Sequence, residues 1–127
     1  MDIRQRALQL WSLLVLAAKT QTVLSYGMVS QMTGLPAESG AALTCVFAYC
    51  LKKKLPLLPS LVVNQGSGRP SAEIYDHVDI EAEHRRCFVY DWLALPVPTL
   101  EALDEAYQNR ERIGQEYRAA KSAAASA

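Results

Sequence analysis

The chain has 127 residues, of which 50% are hydrophobic and 20% are charged. This length and composition suit one compact domain with a modest core, and they exclude a collagen-like or intrinsically disordered chain. The net charge is zero, but residues 1–70 hold seven basic and two acidic side chains, a charge of +5, whereas residues 71–127 hold six and eleven, a charge of −5. This division is typical of a basic working surface followed by an acidic appendage.

The cysteines indicate a reducing compartment, because Cys45, Cys50 and Cys87 are odd in number and lack CxxC spacing. The apolar run at residues 10–18 is shorter than the roughly 20 residues that span a bilayer. Basic residues precede this run, as in a secretory signal, but the acidic Asp2 and the lack of a small-residue cleavage site favour a buried first helix. We therefore expect a cytoplasmic protein without a membrane partner.

Three helices are predicted in the first half of the chain. Residues 3–18 contain no glycine or proline and are apolar on both sides, which predicts a helix covered over much of its circumference. A short second helix is predicted between Ser25, which can cap its start, and Gly34, which can adopt the left-handed conformation at its end. A third helix over about 37–51 ends at the lysines 52–54, where positive charge complements the helix dipole.

A strand and a turn are predicted after this helix pair. Pro56 and Pro59 exclude continued helix, residues 61–63 are typical of a strand, and residues 65–68 are typical of a glycine-rich turn. Helix, tight turn and helix form the helix-turn-helix pattern. With the strand and turn behind it, this pattern predicts a winged helix.

The remaining chain is predicted to be helical and acidic. Acidic side chains crowd the predicted start of a helix that runs from about residue 73 to Trp92, as the helix dipole favours. A stiff connector rich in proline follows at 95–98, and Thr99 can cap a final helix. The predicted fold is therefore mainly α: a winged helix-turn-helix with a small β-wing at 1–72, two further helices at 73–118 packed on the same domain, and a flexible Ala/Ser tail at 119–127.

Catalytic and metal-binding motifs are absent from the sequence. No nucleophile elbow, phosphate loop or dinucleotide fingerprint is present. His77 and His84 lie seven residues apart, about 10 Å along a helix, which is too far for one ion even with Cys87 close to His84. Cys45 and Cys50 lie in an apolar segment, where thiols are ordinarily inert. We expect no enzyme activity, no metal and no cofactor, and a thiol enzyme would instead require a strongly reactive Cys45 or Cys50.

The basic half contains a candidate DNA-binding surface. Small residues at the start of the third helix, such as Gly40, permit close approach to a DNA groove or, equally, tight packing on the neighbouring helix. Glu38 can accept a hydrogen bond from a cytosine amino group. The lysines 52–54 can contact phosphates, although a solvated helix end is as ordinary a role for them, and Arg69 suits a narrow minor groove. The candidate DNA-binding residues are Tyr26, Ser39, Thr44, Lys52, Lys53, Lys54, Asn64, Gln65, Ser67 and Arg69.

Several motifs resemble a known family. They are Ser25-Tyr26-Gly27, the small-residue helix start around Gly40, and the segment Leu55-Pro56…Pro59-Ser60-Leu61-Val62-Val63-Asn64…Gly68-Arg69-Pro70-Ser71. In this order they are similar to the winged-helix domain of alkylguanine-DNA alkyltransferases and alkyltransferase-like proteins, over residues 22–71. The resemblance implies that Tyr26 lies near a phosphate, that the third helix lies in a DNA groove, and that the wing lies beside it.

Two departures from that family limit what the resemblance implies. The cysteine, histidine and arginine of the family's P-C-H-R motif are missing, since Ser60 follows Pro59 directly. No arginine stands at residues 37–39 to enter the base stack. Alkyl transfer and base flipping are therefore not implied.

These observations predict a non-enzymatic winged-helix protein that binds double-stranded DNA, as a regulator or accessory factor of a bacterium or phage. A homodimer through the C-terminal helices is a further expectation. The alternative is a protein-interaction module or inhibitor that uses the acidic helical surface at 73–116.

Overall fold

The computed structural model describes residues 2–34, 40–76 and 78–126 of the chain. Helix accounts for 70% of this part, which is therefore mainly helical, with a small parallel sheet of two strands. Among these residues no helix is both long and apolar enough to cross a membrane. The elements are α1 (Ile3–Lys19), β1 (Leu24–Ser25), α2 (Tyr26–Thr33), α3 (Gly40–Lys52), β2 (Val62–Val63), α4 (Ile80–Val89), α5 (Leu100–Gln108) and α6 (Arg110–Ser126).

Local capping sets both ends of α2 and the start of α5. The Ser25 hydroxyl accepts a hydrogen bond from the Met28 N–H at 3.1 Å, and Gly34 adopts a left-handed φ of +72° at the end of α2. The Thr99 hydroxyl accepts from the Ala102 N–H in the same way at the start of α5. The predicted caps at these three residues are confirmed, because each needs only a partner within one turn of the chain.

The hydrophobic core lies between α1, α3, α5 and a short 3₁₀ helix at Leu58–Leu61. Helix α1 buries one face and leaves another open, since Leu16 is 61% exposed. Its prediction as a covered helix therefore holds for only part of its circumference. The fully buried large side chains of this core include Leu10, Leu14, Val46, Leu58, Leu61 and Leu103.

The strand predicted at 61–63 is present as β2, but its partner precedes α2. Leu24 pairs with Val62 and Ser25 with Val63, in parallel. After the turn the chain reaches Pro70, which has no N–H to give to a ladder. In the described residues, β2 therefore pairs with β1 and with no strand from the far side of the turn.

The C-terminal half has more breaks than the sequence predicts. The helix expected from about residue 73 is a 3₁₀ helix at Glu73–Tyr75 followed by α4, whose first turn is capped by the Asp79 carboxylate on the Ala82 N–H. The single final helix is two helices, α5 and α6, which separate at Asn109. The backbone of the predicted flexible tail is helical through Ser126. Because of the break at Asn109, α6 can turn back and pack against α3.

Candidate functional site

Three of the predicted DNA-binding residues meet in one depression of about 390 Å³. Tyr26 lies at the start of α2, and Asn64 and Gln65 follow β2 directly, so the pairing of β1 with β2 brings these two stretches together. Gln31, which the sequence analysis did not single out, lines the same depression from the next turn of α2. The sequence does contain a signal for Gln31: it lies about one helical turn beyond Tyr26 and Gly27, and side chains at this spacing lie on the same face of a helix. We call this site the polar depression.

The turn beside the polar depression is closed by hydrogen bonds. The Asn64 N–H donates to the Arg69 carbonyl at 2.9 Å, and the Gly68 N–H donates to the Asn64 carbonyl at 2.8 Å. Gly68 has a φ of +69°, which glycine adopts without strain. The predicted site residue Ser67 accepts a hydrogen bond from the Arg69 N–H and so belongs to the same turn.

The turn is tied to α2 through Tyr26. The Tyr26 hydroxyl accepts a hydrogen bond from the Ser71 N–H at 2.9 Å, and the Ser71 hydroxyl accepts from the Asn64 side-chain amide at 2.9 Å. This chain of contacts fixes the turn relative to the start of α2. The polar depression is therefore a preformed surface, with its rim held by three side chains.

The Arg69 side chain makes its hydrogen bonds within the protein. Its guanidinium donates to the backbone carbonyls of Tyr75 at 2.8 Å and Val78 at 3.3 Å, and the residue is half-buried. The position of Arg69 after the glycine turn predicts a contact with the minor groove of DNA. In the structure it joins the turn to the segment that precedes α4. Minor-groove contact would require the side chain to leave both carbonyls.

The three lysines at the end of α3 have different surroundings. Lys52 forms an ion pair with Glu105 of α5, and this contact lowers the pKa of the Glu105 carboxyl. Lys53 and Lys54 are exposed, and neither makes an ion pair within the described part of the chain. Lys52 lies about 18 Å along the helix from Gly40, at 1.5 Å per residue, and Lys53 and Lys54 follow it directly. The lysines and the start of α3 therefore occupy opposite ends of one helix.

Thr44 faces a second, apolar depression. This apolar cleft, of about 450 Å³, lies between α3, α6 and the segment at 72–75. Its α3 wall includes Leu43, Thr44 and Phe47, and α6 closes the other side. Thr44 is half-buried and lines the cleft together with α6, so it lies apart from the polar depression that holds Tyr26, Asn64 and Gln65. Ser39 and Glu38, the other candidate readers, lie outside the described residues.

The three thiols are buried, and two of them contact backbone carbonyls. Burial raises the pKa of Cys45 to about 11, and that of Cys50 and of Cys87 to about 12. Cys45 donates to the Leu103 carbonyl, and Cys87 lies 3.5 Å from the Leu57 carbonyl oxygen. Very little thiolate exists at neutral pH under these conditions, which is unfavourable for a nucleophile.

The polar side chains of α4 hold the buried segment at 57–61. Glu83 is 6% exposed, and its carboxylate accepts hydrogen bonds from the Leu57 N–H at 2.8 Å and from the Arg86 guanidinium. His84 contacts the Ser60 carbonyl through Nε2 at 2.7 Å. Because a carbonyl only accepts, Nε2 carries the hydrogen in this contact. Glu83 and His84 thus have structural partners, whereas His77 lies outside the described residues.

Comparison of the chain with protein-family models, with curated proteins and with solved structures finds no match. The resemblance of residues 22–71 to the alkyltransferases stays a prediction from motifs. Two features of the described surface remain as functional candidates: the polar depression beside the closed turn, and the apolar cleft between α3 and α6.

Proposed function

We propose that this protein binds duplex DNA through the polar depression and the adjoining turn at 64–68, as a non-enzymatic regulator or accessory factor. In this proposal α2 and α3 act as a helix-turn-helix, and the turn takes the place of a wing. The observation that carries the proposal is the convergence of Tyr26, Gln31, Asn64 and Gln65 on one preformed surface.

The chemistry of this surface suits nucleic acid. Asparagine and glutamine amides can both donate to and accept from base edges, with adenine as their best bidentate partner. Tyrosine hydroxyls and backbone N–H groups commonly contact phosphates. Gly27 contributes no side chain to the depression, so a DNA backbone can approach α2 closely. The residues therefore combine groups for phosphate contact and for base contact in one place.

A modest salt dependence is expected. Lys52 and Arg69 have partners within the molecule, whereas Lys53 and Lys54, which follow α3, make no ion pair in the described residues and are the cations that the proposal assigns to phosphates. Each phosphate that a protein neutralises contributes about −0.9 to the slope of log K against log salt. We expect a slope of about −2, much shallower than that of a strongly basic DNA-binding domain.

Fluorescence anisotropy with a labelled duplex, at two salt concentrations, tests the proposal. The double variant Gln31→Ala, Gln65→Ala should weaken binding about tenfold or more, because it removes two amide contacts. The matched control is Gln9→Ala, Gln115→Ala, which removes two exposed amides from α1 and α6 and should leave the affinity unchanged. Absence of binding by the unaltered protein at low salt, or equal losses in the two double variants, would contradict the proposal.

A second candidate function is protein binding, and one observation favours it. Leu16 of α1 is 61% exposed, and Leu93 and Val97 of the connector before α5 are 75% and 64% exposed. All three line one depression of about 420 Å³. Clustered exposed apolar side chains are typical of a surface that a partner covers. This patch lies partly within residues 73–116, the region that the sequence analysis assigned to a protein partner.

Two double variants separate the candidates. Lys53→Glu, Lys54→Glu should abolish DNA binding and leave a protein complex intact. Leu93→Ser, Val97→Ser should have the opposite effect, and because both side chains are exposed, the fold should tolerate it. If only the second variant impairs function in cells, protein binding is the function and DNA binding is not.

A further inference from the structure

The apolar cleft has the size and the walls of a ligand site. Its volume of about 450 Å³ lies within the range of small-molecule pockets, about 300–1,000 Å³. Leu43, Phe47 and Leu51 of α3 face Ile74 and α6 across it. These side chains are only partly buried, although they pack against the core. The protein thus leaves part of this apolar surface uncovered.

Gly114 marks a gap in the α6 wall of the cleft. It lies in the middle of α6 and is buried, yet a Cβ at this position would meet no atom within 4 Å outside its own helical turn. Packing therefore does not require a glycine, and glycine is less favourable than alanine inside a helix. A larger residue at 114 would project into the cleft. Glycine keeps that space open.

The charged groups around the cleft favour an anion. Arg110, Glu111 and Arg118 line it, all from α6. The Arg110 guanidinium lies 4.2 Å from the centre of the Tyr107 ring and donates to the Tyr107 carbonyl. The Arg118 guanidinium makes no ion pair or hydrogen bond within the part of the chain that the structure describes. Arg118 is therefore the cation available to an incoming ligand.

We propose that the apolar cleft binds a small amphipathic anion, with its hydrocarbon body between α3 and α6 and its carboxylate or equivalent head group at Arg118. A second copy of the chain is a poorer occupant. A stable protein interface engages about 20–30 residues on each partner, which is more than the 15 residues that line the cleft. A ligand with a single acyl chain matches the apolar walls and the one free guanidinium.

Isothermal titration calorimetry of the full chain with sodium dodecanoate tests the proposal, with dodecyltrimethylammonium as the probe of opposite charge. Both probes are used below their micelle concentrations. We expect saturable binding of dodecanoate and at least about tenfold weaker binding of the cation. Equal affinity for both probes, or no saturable binding of dodecanoate, would overturn the proposal.

Variants locate the binding to the cleft. Gly114→Leu should reduce the affinity for dodecanoate about tenfold or more by filling the space, whereas Gly114→Ala should change it little. Arg118→Gln should weaken binding about three- to tenfold, and Arg112→Gln, which alters an arginine paired with Glu116, should not. If Gly114→Leu does not fold, Thr44→Leu fills the same cleft from α3.

The remaining outcomes also decide the proposal. Unchanged dodecanoate binding in both cleft-filling variants would mean that the ligand binds elsewhere. Light scattering reports the oligomeric state of each variant. If Gly114→Leu converts a dimer to a monomer, the cleft is covered by a second copy and the proposal is wrong. The test does not depend on DNA binding, so the two proposals can fail separately.

Discussion

The two sides of α3 are similarly apolar but are packed very differently. On one side Ala42, Cys45, Val46 and Cys50 are buried in the core, next to α1 and the 57–61 segment. The other side, which includes Leu43, is only partly covered and faces the apolar cleft. Hydrophobicity alone therefore does not tell which side of a helix is filled. The elements that pack against it decide, and here they leave one side available for function.

The largest expected difference between the two sides concerns side-chain truncation. Leu14→Ala removes a fully buried side chain from the core between α1 and α3, and should lower the free energy of unfolding by about 2–5 kcal/mol. Leu43→Ala on the cleft side should cost less than about 1.5 kcal/mol, since the space there is already open. Urea denaturation measures both. Equal losses would mean that the cleft is closed in solution.

A smaller effect is expected at Glu83, which supports the segment packed under the core side of α3. Glu83→Ala leaves the buried Leu57 N–H without its acceptor and should cost about 1–3 kcal/mol. Glu83→Gln is the matched control, because its amide oxygen can still accept from Leu57 while the ion pair with Arg86 is lost. A loss in Glu83→Gln as large as in Glu83→Ala would show that the charge matters more than the hydrogen bond.

The effect that is smallest near neutral pH, because it develops only above pH 9, is a pH dependence from the thiols on the core side of α3. Burial raises the pKa of Cys45 to about 11 and that of Cys50 to about 12, from an ordinary value of 9.0. Between pH 9 and these values the unfolded chain releases protons that the folded chain retains. Stability should therefore be complete below pH 9 and fall above it, by at most about 1.4 kcal/mol per pH unit for each thiol.

Urea denaturation at pH 7.5, 9.0 and 10.5 measures this effect, and Cys50→Ala should make the decline shallower. A free energy of unfolding that stays constant from pH 9.0 to 10.5 would contradict this prediction.

The same burial predicts that a disulfide reagent reacts slowly with the native thiols and quickly with all three once the protein is unfolded.

Charge was the feature for which the sequence was least informative. It correctly showed an excess of basic residues in the first half, but not which of them are available to a partner. Lys52 pairs with Glu105, and Arg69 with the carbonyls of Tyr75 and Val78. The Lys52 partner is 53 residues away in the chain, and no local pattern points to it. Counting basic residues therefore overestimates the cationic surface.

The sequence by itself determined the features whose partners lie within one turn of the chain. The caps at Ser25, Gly34 and Thr99 and the end of α3 at Lys52 are of this kind, because a side chain or a left-handed residue acts on its own helix.

Tertiary structure decided the features whose partners are distant in the chain. It paired β2 with β1, turned Arg69 inward, and placed Gly114 across a gap from α3. Each of these depends on two segments separated by tens of residues, and their contact is set by how the whole core packs. The candidate sites arise at this level, since the polar depression needs β1 beside β2 and the apolar cleft needs α6 beside α3.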